Sequence, residues 1–245
     1  MNEPSFFVGY AASLPADTKS FLLKVAAGWV FLMGALALTL SVATDDPGDG
    51  HFAGDAVLTG LVTNAPYPVL FLPPDAGHPL GHAVLLAGDG KTGAQSQSLS
   101  LEGKRAKASG YMLKRGELDM LVLGAVSAEP AAEPSASFNP APLGRWRVTG
   151  EICDGKCYTG GMRPGTGLAH KACANLCIAG GAPPVFVSAA PVEGSIFLLM
   201  AGPDGGPAPQ GIADLAGLPV QVEGDIERRG DLLVLKADWA RAKEE

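Results

Sequence analysis

The 245-residue sequence is poor in charged residues and in cysteine, and these shortages exclude several classes of protein. Charged residues make up 18% of the chain, its formal net charge is -7, and no sizeable Lys/Arg cluster occurs, which argues against a nucleic-acid partner. Four cysteines are too few for a disulfide-rich scaffold but enough for one site. Because 47% of the residues are hydrophobic, the chain is not disordered, and its length accommodates one or two domains.

One uncharged run, residues 25–44, is long enough to cross a membrane as a helix, because twenty residues span a hydrocarbon core of ~30 Å. Lys19 and Lys24 precede the run, whereas aspartates follow it before the next basic residue, Lys91. The positive-inside rule then predicts a cytoplasmic tail over residues 1–24 and a periplasmic bulk, in a protein that passes once through a bacterial inner membrane. A cleaved signal peptide is the alternative, although the apolar region of such a peptide is usually only ~7–15 residues long.

The chain after this run contains an internal repeat. Three glycines at residues 103, 110 and 116 recur 114 positions later, in similar surroundings, at residues 217, 224 and 230. Near the start of the repeat, Gly60 recurs only 90 positions later as Gly150. The difference between the two offsets shows that the second copy carries about 24 additional residues after Gly150.

Each copy has the pattern of short strands separated by glycine turns, in a chain with 33 glycines and 20 prolines. About five such strands per copy predict a mainly β fold, with two tandem small barrels of the OB-like type after the transmembrane helix; a β-sandwich is the alternative. The first module is assigned to residues 50–125 and the second to residues 145–240. Residues 126–144 are rich in proline and alanine and are expected to form an extended, semi-rigid linker.

The additional residues of the second copy, 153–177, hold all four cysteines. The segment 168–178 contains no glycine or proline and can form a short helix, which would place His170, Cys173 and Cys177 on one face. Cys157 would approach this face from the preceding loop. Three thiolates and one imidazole can form a tetrahedral zinc site, and the same ligands suit copper. One prediction is therefore a metal site for one zinc or copper ion on a helical insert.

Disulfides are an alternative, because cysteines outside the inner membrane are usually paired. A bond such as Cys157–Cys173 would join the loop to the helix. A redox-active thiol pair is a third possibility. However, Cys153 and Cys157, like Cys173 and Cys177, have the spacing C-x-x-x-C rather than the C-x-x-C of thioredoxin-like proteins. Two other polar residues of the insert, Asp154 and Lys156, are expected to support the metal ligands, and Cys153 either does so or forms a disulfide.

Two further features are assigned to loops. His78 and His82 are four residues apart, but a proline and a glycine lie between them, so we expect a solvent-exposed loop rather than a helix. The sequence GDGKTG at residues 88–93 has Leu86 where a phosphate-binding loop needs its first glycine, and it is predicted to be a β-turn.

At the insert the sequence resembles a group of uncharacterised bacterial membrane-anchored proteins with an exported Cys/His module. The matching motifs are G-x-I-x-D-x-K-C at residues 150–157 and H-x-x-C-x-x-x-C at residues 170–177. The resemblance covers residues 147–237 and implies an exported OB-like module, without an activity that can be transferred. Cys153 lies outside the pattern, so the resemblance favours Cys157, His170, Cys173 and Cys177 as the unit.

No recognisable catalytic set accompanies the cysteines, so a non-enzymatic role is expected. The leading hypothesis is a membrane-anchored periplasmic accessory subunit of a membrane-bound redox complex, carrying a Cys/His metal or disulfide site. Its expected partners are the membrane, through one helix, and other membrane or periplasmic subunits. The alternatives are a metallochaperone-like protein that binds zinc or copper, and a thiol–disulfide oxidoreductase.

Overall fold

The computed structural model describes residues 14–43, 48–130 and 138–244. The chain divides into two compact units, Met1–Asp46 and Pro47–Glu245. Within the described residues, the first unit contains one helix and the second contains every β-strand.

The first helix, α1 (Ala16–Ala43), has 28 residues. Among the described residues it is the helix whose length and composition allow it to cross a membrane, over Ala16–Leu40. It begins earlier than the predicted start at residue 25, so Lys19 and Lys24 are part of the helix rather than of a separate tail. The predicted last residue of the span, 44, lies outside the described residues.

The first half of the second unit is a closed five-stranded barrel. Its strands are β1 (His51–Thr63), β2 (Val69–Leu72), β3 (His82–Ala87), β4 (Arg105–Arg115) and β5 (Leu118–Ala128). They are joined in the order β1-β2-β3-β5-β4, and β4 pairs with β1 to close the barrel. The β3–β5 pair is parallel and the other pairs are antiparallel. A short helix, α2 (Gln95–Ser98), lies between β3 and β4.

The second half repeats this topology. Its strands are β6 (Ala141–Asp154), β7 (Pro184–Val192), β8 (Ser195–Ala201), β9 (Pro219–Arg229) and β10 (Leu232–Ala237). They follow the order β6-β7-β8-β10-β9, with β6 paired to β9 and with β8 and β10 parallel. A two-residue strand, β11 (Lys243–Glu244), extends the sheet beside β9. The predicted mainly β fold with tandem small barrels is confirmed.

The repeated glycines have the same structural role in both copies. Gly116 and Gly230 occupy the β4–β5 and β9–β10 turns with φ angles of +56° and +62°, which residues with a Cβ rarely adopt. Gly60 and Gly150 lie in β1 and β6 where a Cβ would collide with a backbone carbonyl of the neighbouring strand. The repeat seen in the sequence therefore reflects the same steric requirements in two barrels.

The two barrels share an apolar core in addition to their own interiors. Phe71 and Met120 of the first barrel belong to the same buried cluster as Val185 and Phe197 of the second. Phe138, just before β6, stacks on Phe71 with ring centroids 4.7 Å apart. The barrels are thus packed against each other.

Two boundaries and one loop differ from the sequence prediction. Strand β5 ends at Ala128 and β6 begins at Ala141, so both strands extend into the predicted linker, residues 126–144. His82 is buried and begins β3, so the expectation of an exposed loop is wrong for this residue. The side chain of His78 is 43% exposed and does lie in a loop.

Candidate metal centre

The insert forms the connection between β6 and β7. After β6 ends at Asp154, Cys157 begins a single helical turn, Cys157–Gly161, and a glycine-rich loop leads to the helix α3 (Lys171–Ala179). This helix begins at Lys171 rather than at residue 168, and it carries Cys173 and Cys177. The predicted helical insert is therefore present, three residues shorter at its start.

Three of the four sulfurs converge on one point. The Sγ atom of Cys157 lies 3.8 Å from that of Cys173 and 4.0 Å from that of Cys177. Ligand sulfurs at ~2.3 Å from a tetrahedral zinc ion lie ~3.8 Å apart. Cys157 and Cys177 are buried and Cys173 is half-buried. The cluster thus has the spacing that one metal ion requires.

All four cysteines lie in described residues and all are free thiols. Sulfurs at 3.8 Å are far from the ~2.05 Å of a disulfide, so the structure contains no support for the disulfide alternative. Cys153 is separate from the other three, in the apolar core between the barrels. Its Sγ contacts Glu151 Oε1 at 3.4 Å, and burial raises the pKa of its thiol, which keeps Cys153 protonated.

His170 lies beside the cluster but not among the three sulfurs. Its Nε2 is 2.8 Å from Asp154 Oδ2, while Asp154 Oδ1 accepts the backbone N–H of Cys157 at 2.8 Å. The ligand atoms of Asp154, Cys157 and His170 form a second group within 4.8 Å, which excludes Cys173 and Cys177. A carboxylate on one ring nitrogen is the usual arrangement for a metal-binding histidine, so His170 stays a predicted ligand.

Two lysines meet at this site, and one comes from the other barrel. Lys91, in the loop after β3, places its Nζ 2.7 Å from Cys173 Sγ and 3.8 Å from Cys177 Sγ. Lys156 is buried and donates from Nζ to the carbonyls of Gly88 and Gly90, at 2.7 and 2.8 Å. Residues 88–93, predicted from the sequence as a β-turn, thus contact the cysteines through Lys91, and no local sequence signal indicates this contact.

Backbone contacts hold this loop against the end of α3. The N–H of Gly93 donates to Gly180 O at 2.8 Å, and Gln95 Nε2 donates to Gly181 O at 3.1 Å. A Cβ at Gly180 or Gly93 would collide with the facing backbone, so glycine permits this close approach. The cluster is therefore built at the junction of the two barrels.

The surrounding charges favour a thiolate at Cys177. A hydrogen bond from the Cys157 thiol lowers the pKa of Cys177, and Lys91 acts in the same direction. The same thiol–thiolate hydrogen bond raises the pKa of Cys157, and burial adds to this effect. The hydrogen bond to Cys173 raises the pKa of Lys91, which keeps the amine charged. Thiolates are the form that binds metals, so the site is electrostatically prepared for a cation.

A methionine sulfur also lies at the edge of the cysteine cluster. Met162 Sδ is 3.4 Å from Cys173 Sγ, and the Met162 side chain is exposed. Cys157 and Met162 also line a cavity of about 150 Å³, together with Arg115 and Arg163. Small molecules can thus reach the cluster from this side.

Comparison with family models, with curated proteins and with solved structures finds no match for this chain. The fold and the site define the class by themselves: a tandem-barrel protein with a three-cysteine cluster and one apolar helix that can span a membrane.

Proposed function

We propose that this chain is a membrane-anchored metal-binding protein that holds one zinc or copper(I) ion on Cys157, Cys173 and Cys177. The observation that carries the proposal is the convergence of the three sulfurs, with separations of 3.8 and 4.0 Å at Cys157. Sulfur ligands favour soft ions, and three thiolates satisfy copper(I), whereas zinc requires a fourth ligand. His170, which lies beside Cys157, is the fourth ligand that the sequence motif suggests.

The charges around the cluster support this assignment. Three thiolates around a zinc ion carry a net charge of -1, and around copper(I) a net charge of -2. The ammonium groups of Lys91 and Lys156 supply two positive charges nearby, which reduces the cost of burying a negative complex.

We further propose that the ion-bearing barrels lie in the periplasm and serve as an accessory subunit of a redox complex. Lys19 and Lys24 at the start of the apolar helix favour a cytoplasmic N-terminus. The half-exposed Cys173 and the exposed Met162 provide a surface through which a partner can reach the ion. The same exposure favours a second candidate, a metallochaperone-like protein that transfers its ion to an apo-protein.

The test uses the full-length chain purified in detergent without oxygen. Metal content is measured by plasma mass spectrometry, and free thiols are titrated after denaturation. We expect the cysteine cluster to contribute one equivalent of zinc or copper in the wild type, and this equivalent to be lost in Cys173→Ser and Cys177→Ser. The matched control is Cys153→Ala, which removes the cysteine outside the cluster and should keep the metal. Metal-free protein that cannot be loaded with zinc or copper(I) would contradict the proposal.

The partner is tested separately. Mild-detergent isolation of the native protein should recover additional subunits if it is an accessory subunit. Isolation of the chain alone, with rapid transfer of its ion to a chelator, would favour the metallochaperone-like role instead. A Cys157–Cys173 disulfide that cycles with a thiol reductant would favour the thiol–disulfide oxidoreductase.

A further inference from the structure

A separate group of metal-binding side chains, away from the cysteine cluster, lies where the β9–β10 turn meets the start of β3. Asp231 comes from that turn, His82 is the first residue of β3, and His78 lies in the preceding loop. The candidate ligand atoms of these three residues all lie within 4.8 Å of one another. The group joins side chains of both barrels and shares no residue with the cysteine cluster.

Hydrogen bonds orient the ring of His82. Its Nδ1 lies 2.7 Å from Asp231 Oδ2, and its Nε2 lies 3.0 Å from Asp119 Oδ2. Asp119 also accepts a hydrogen bond from Lys114 Nζ at 2.6 Å, which holds the carboxylate in place. Metal-binding histidines commonly donate their second N–H to such a carboxylate. With Nε2 donating to Asp119, Nδ1 is the nitrogen that faces Asp231 and an ion.

The other two groups are also positioned before an ion arrives. Asp231 Oδ1 accepts the backbone N–H of Ala83 at 2.7 Å, which leaves Oδ2 for His82. The ring of His78 stacks on that of His82, with centroids 4.0 Å apart and an interplanar angle of 29°. One ligand atom of each of the two imidazoles and the carboxylate thus lies within 4.8 Å of the others, close enough for the three groups to hold one ion.

The group borders a cavity of about 530 Å³ between the barrels. His78, His82 and Asp231 line this cavity together with the charged side chains of Glu117 and Arg228. The space is sufficient for water molecules or a small ligand to complete the coordination of an ion.

We propose that His78, His82 and Asp231 form a second metal site, for a divalent first-row ion such as zinc. Two imidazoles and one carboxylate suit zinc and leave coordination positions open toward the cavity. On binding, the ion takes the place of the proton that His82 Nδ1 and Asp231 Oδ2 share, and that proton is released to solvent. No thiolate takes part, so this site does not depend on the cysteine centre.

The test measures Zn²⁺ bound per chain by equilibrium dialysis of tag-free, full-length protein, with Co²⁺ as a spectroscopic probe. We expect two equivalents in the wild type. Cys173→Ser should remove one equivalent together with the thiolate-to-cobalt charge-transfer absorption. His78→Ala should remove the other equivalent and leave that absorption unchanged.

Two more variants complete the experiment. His51→Ala changes an exposed histidine outside the group and should retain both equivalents. Asp231→Asn keeps the oxygen that accepts the Ala83 N–H but removes the carboxylate charge, so it should bind only one equivalent of Zn²⁺. This variant tests the site independently if His78→Ala does not fold. The proposal is overturned if neither His78→Ala nor Asp231→Asn lowers the stoichiometry, or if His51→Ala lowers it equally. Failure of the cysteine centre would appear separately, as absent charge-transfer absorption in the wild type.

Discussion

The buried lysine of the insert offers the sharpest test of how the two barrels build the cysteine site. Lys156 belongs to the second barrel, and its Nζ donates to Gly88 O and Gly90 O of the first. These bonds hold the loop that carries Lys91 against the cysteines. The substitution Lys156→Met keeps most of the side-chain volume and removes both bonds.

The magnitude follows from the number and type of the bonds. A hydrogen bond with a charged partner stabilises a protein by ~1.5–3 kcal/mol, and removal of the ammonium leaves the buried carbonyl of Gly88 without its donor. Part of this loss is recovered, because burial disfavours the charged form of Lys156 and lowers its pKa. We expect the free energy of unfolding to fall by ~2–4 kcal/mol, together with a weaker hold on the metal.

The assay compares urea unfolding of the full-length variants in the same detergent, followed by metal analysis of the folded protein. The control is Lys107→Met, at an exposed lysine of β4, which should change the stability by less than ~0.5 kcal/mol. A Lys156→Met protein as stable as the control, with its metal retained, would refute the idea that this lysine joins the barrels at the site.

Two further predictions concern the rest of the fold. Burial alone would raise the pKa of Glu227, but hydrogen bonds from Lys236 and Arg229 outweigh it and lower the pKa below its usual 4.5. The stabilisation by Glu227 is thus fully present above this usual pKa and is lost as the pH falls through the lowered pKa. The difference in stability between wild type and Glu227→Gln should therefore disappear in acid, and a constant difference in pH-dependent unfolding would contradict this. Met120 is fully buried between the barrels, so Met120→Ala should lower the free energy of unfolding by ~2–5 kcal/mol. An unchanged urea midpoint of unfolding would show that the shared core is not formed.

Local features of the structure were readable from the sequence because each depends on neighbouring residues. The apolar run specifies a helix that can span a membrane, although the helix also includes charged residues before that run, such as Lys19. The recurring glycines mark turns and close strand contacts, such as Gly116 and Gly230, and so reveal the duplicated barrel. The spacing of Cys173 and Cys177 places both on one face of α3, because residues four apart lie one turn from each other.

Cys153 shows where this local reasoning stopped. Side chains of a strand alternate between its two faces, and Ile152 fills the interior of the second barrel. Cys153 therefore points the opposite way, into the core between the barrels, and away from the other three cysteines. Which face of β6 points toward the cysteine cluster depends on how the two barrels pack, and this packing could not be predicted from the sequence.

The sequence by itself determined the apolar helix, the two copies of a β-barrel and the segment that carries the cysteines, since these depend on hydrophobic runs, glycine positions and short spacings. Only the tertiary structure decided which distant residues complete the sites. Lys91 reaches Cys173 from the other barrel, and His82 meets Asp231 across 149 positions of the chain. These contacts arise because the barrels pack through a shared apolar core, and no local pattern specifies which residues such packing brings together.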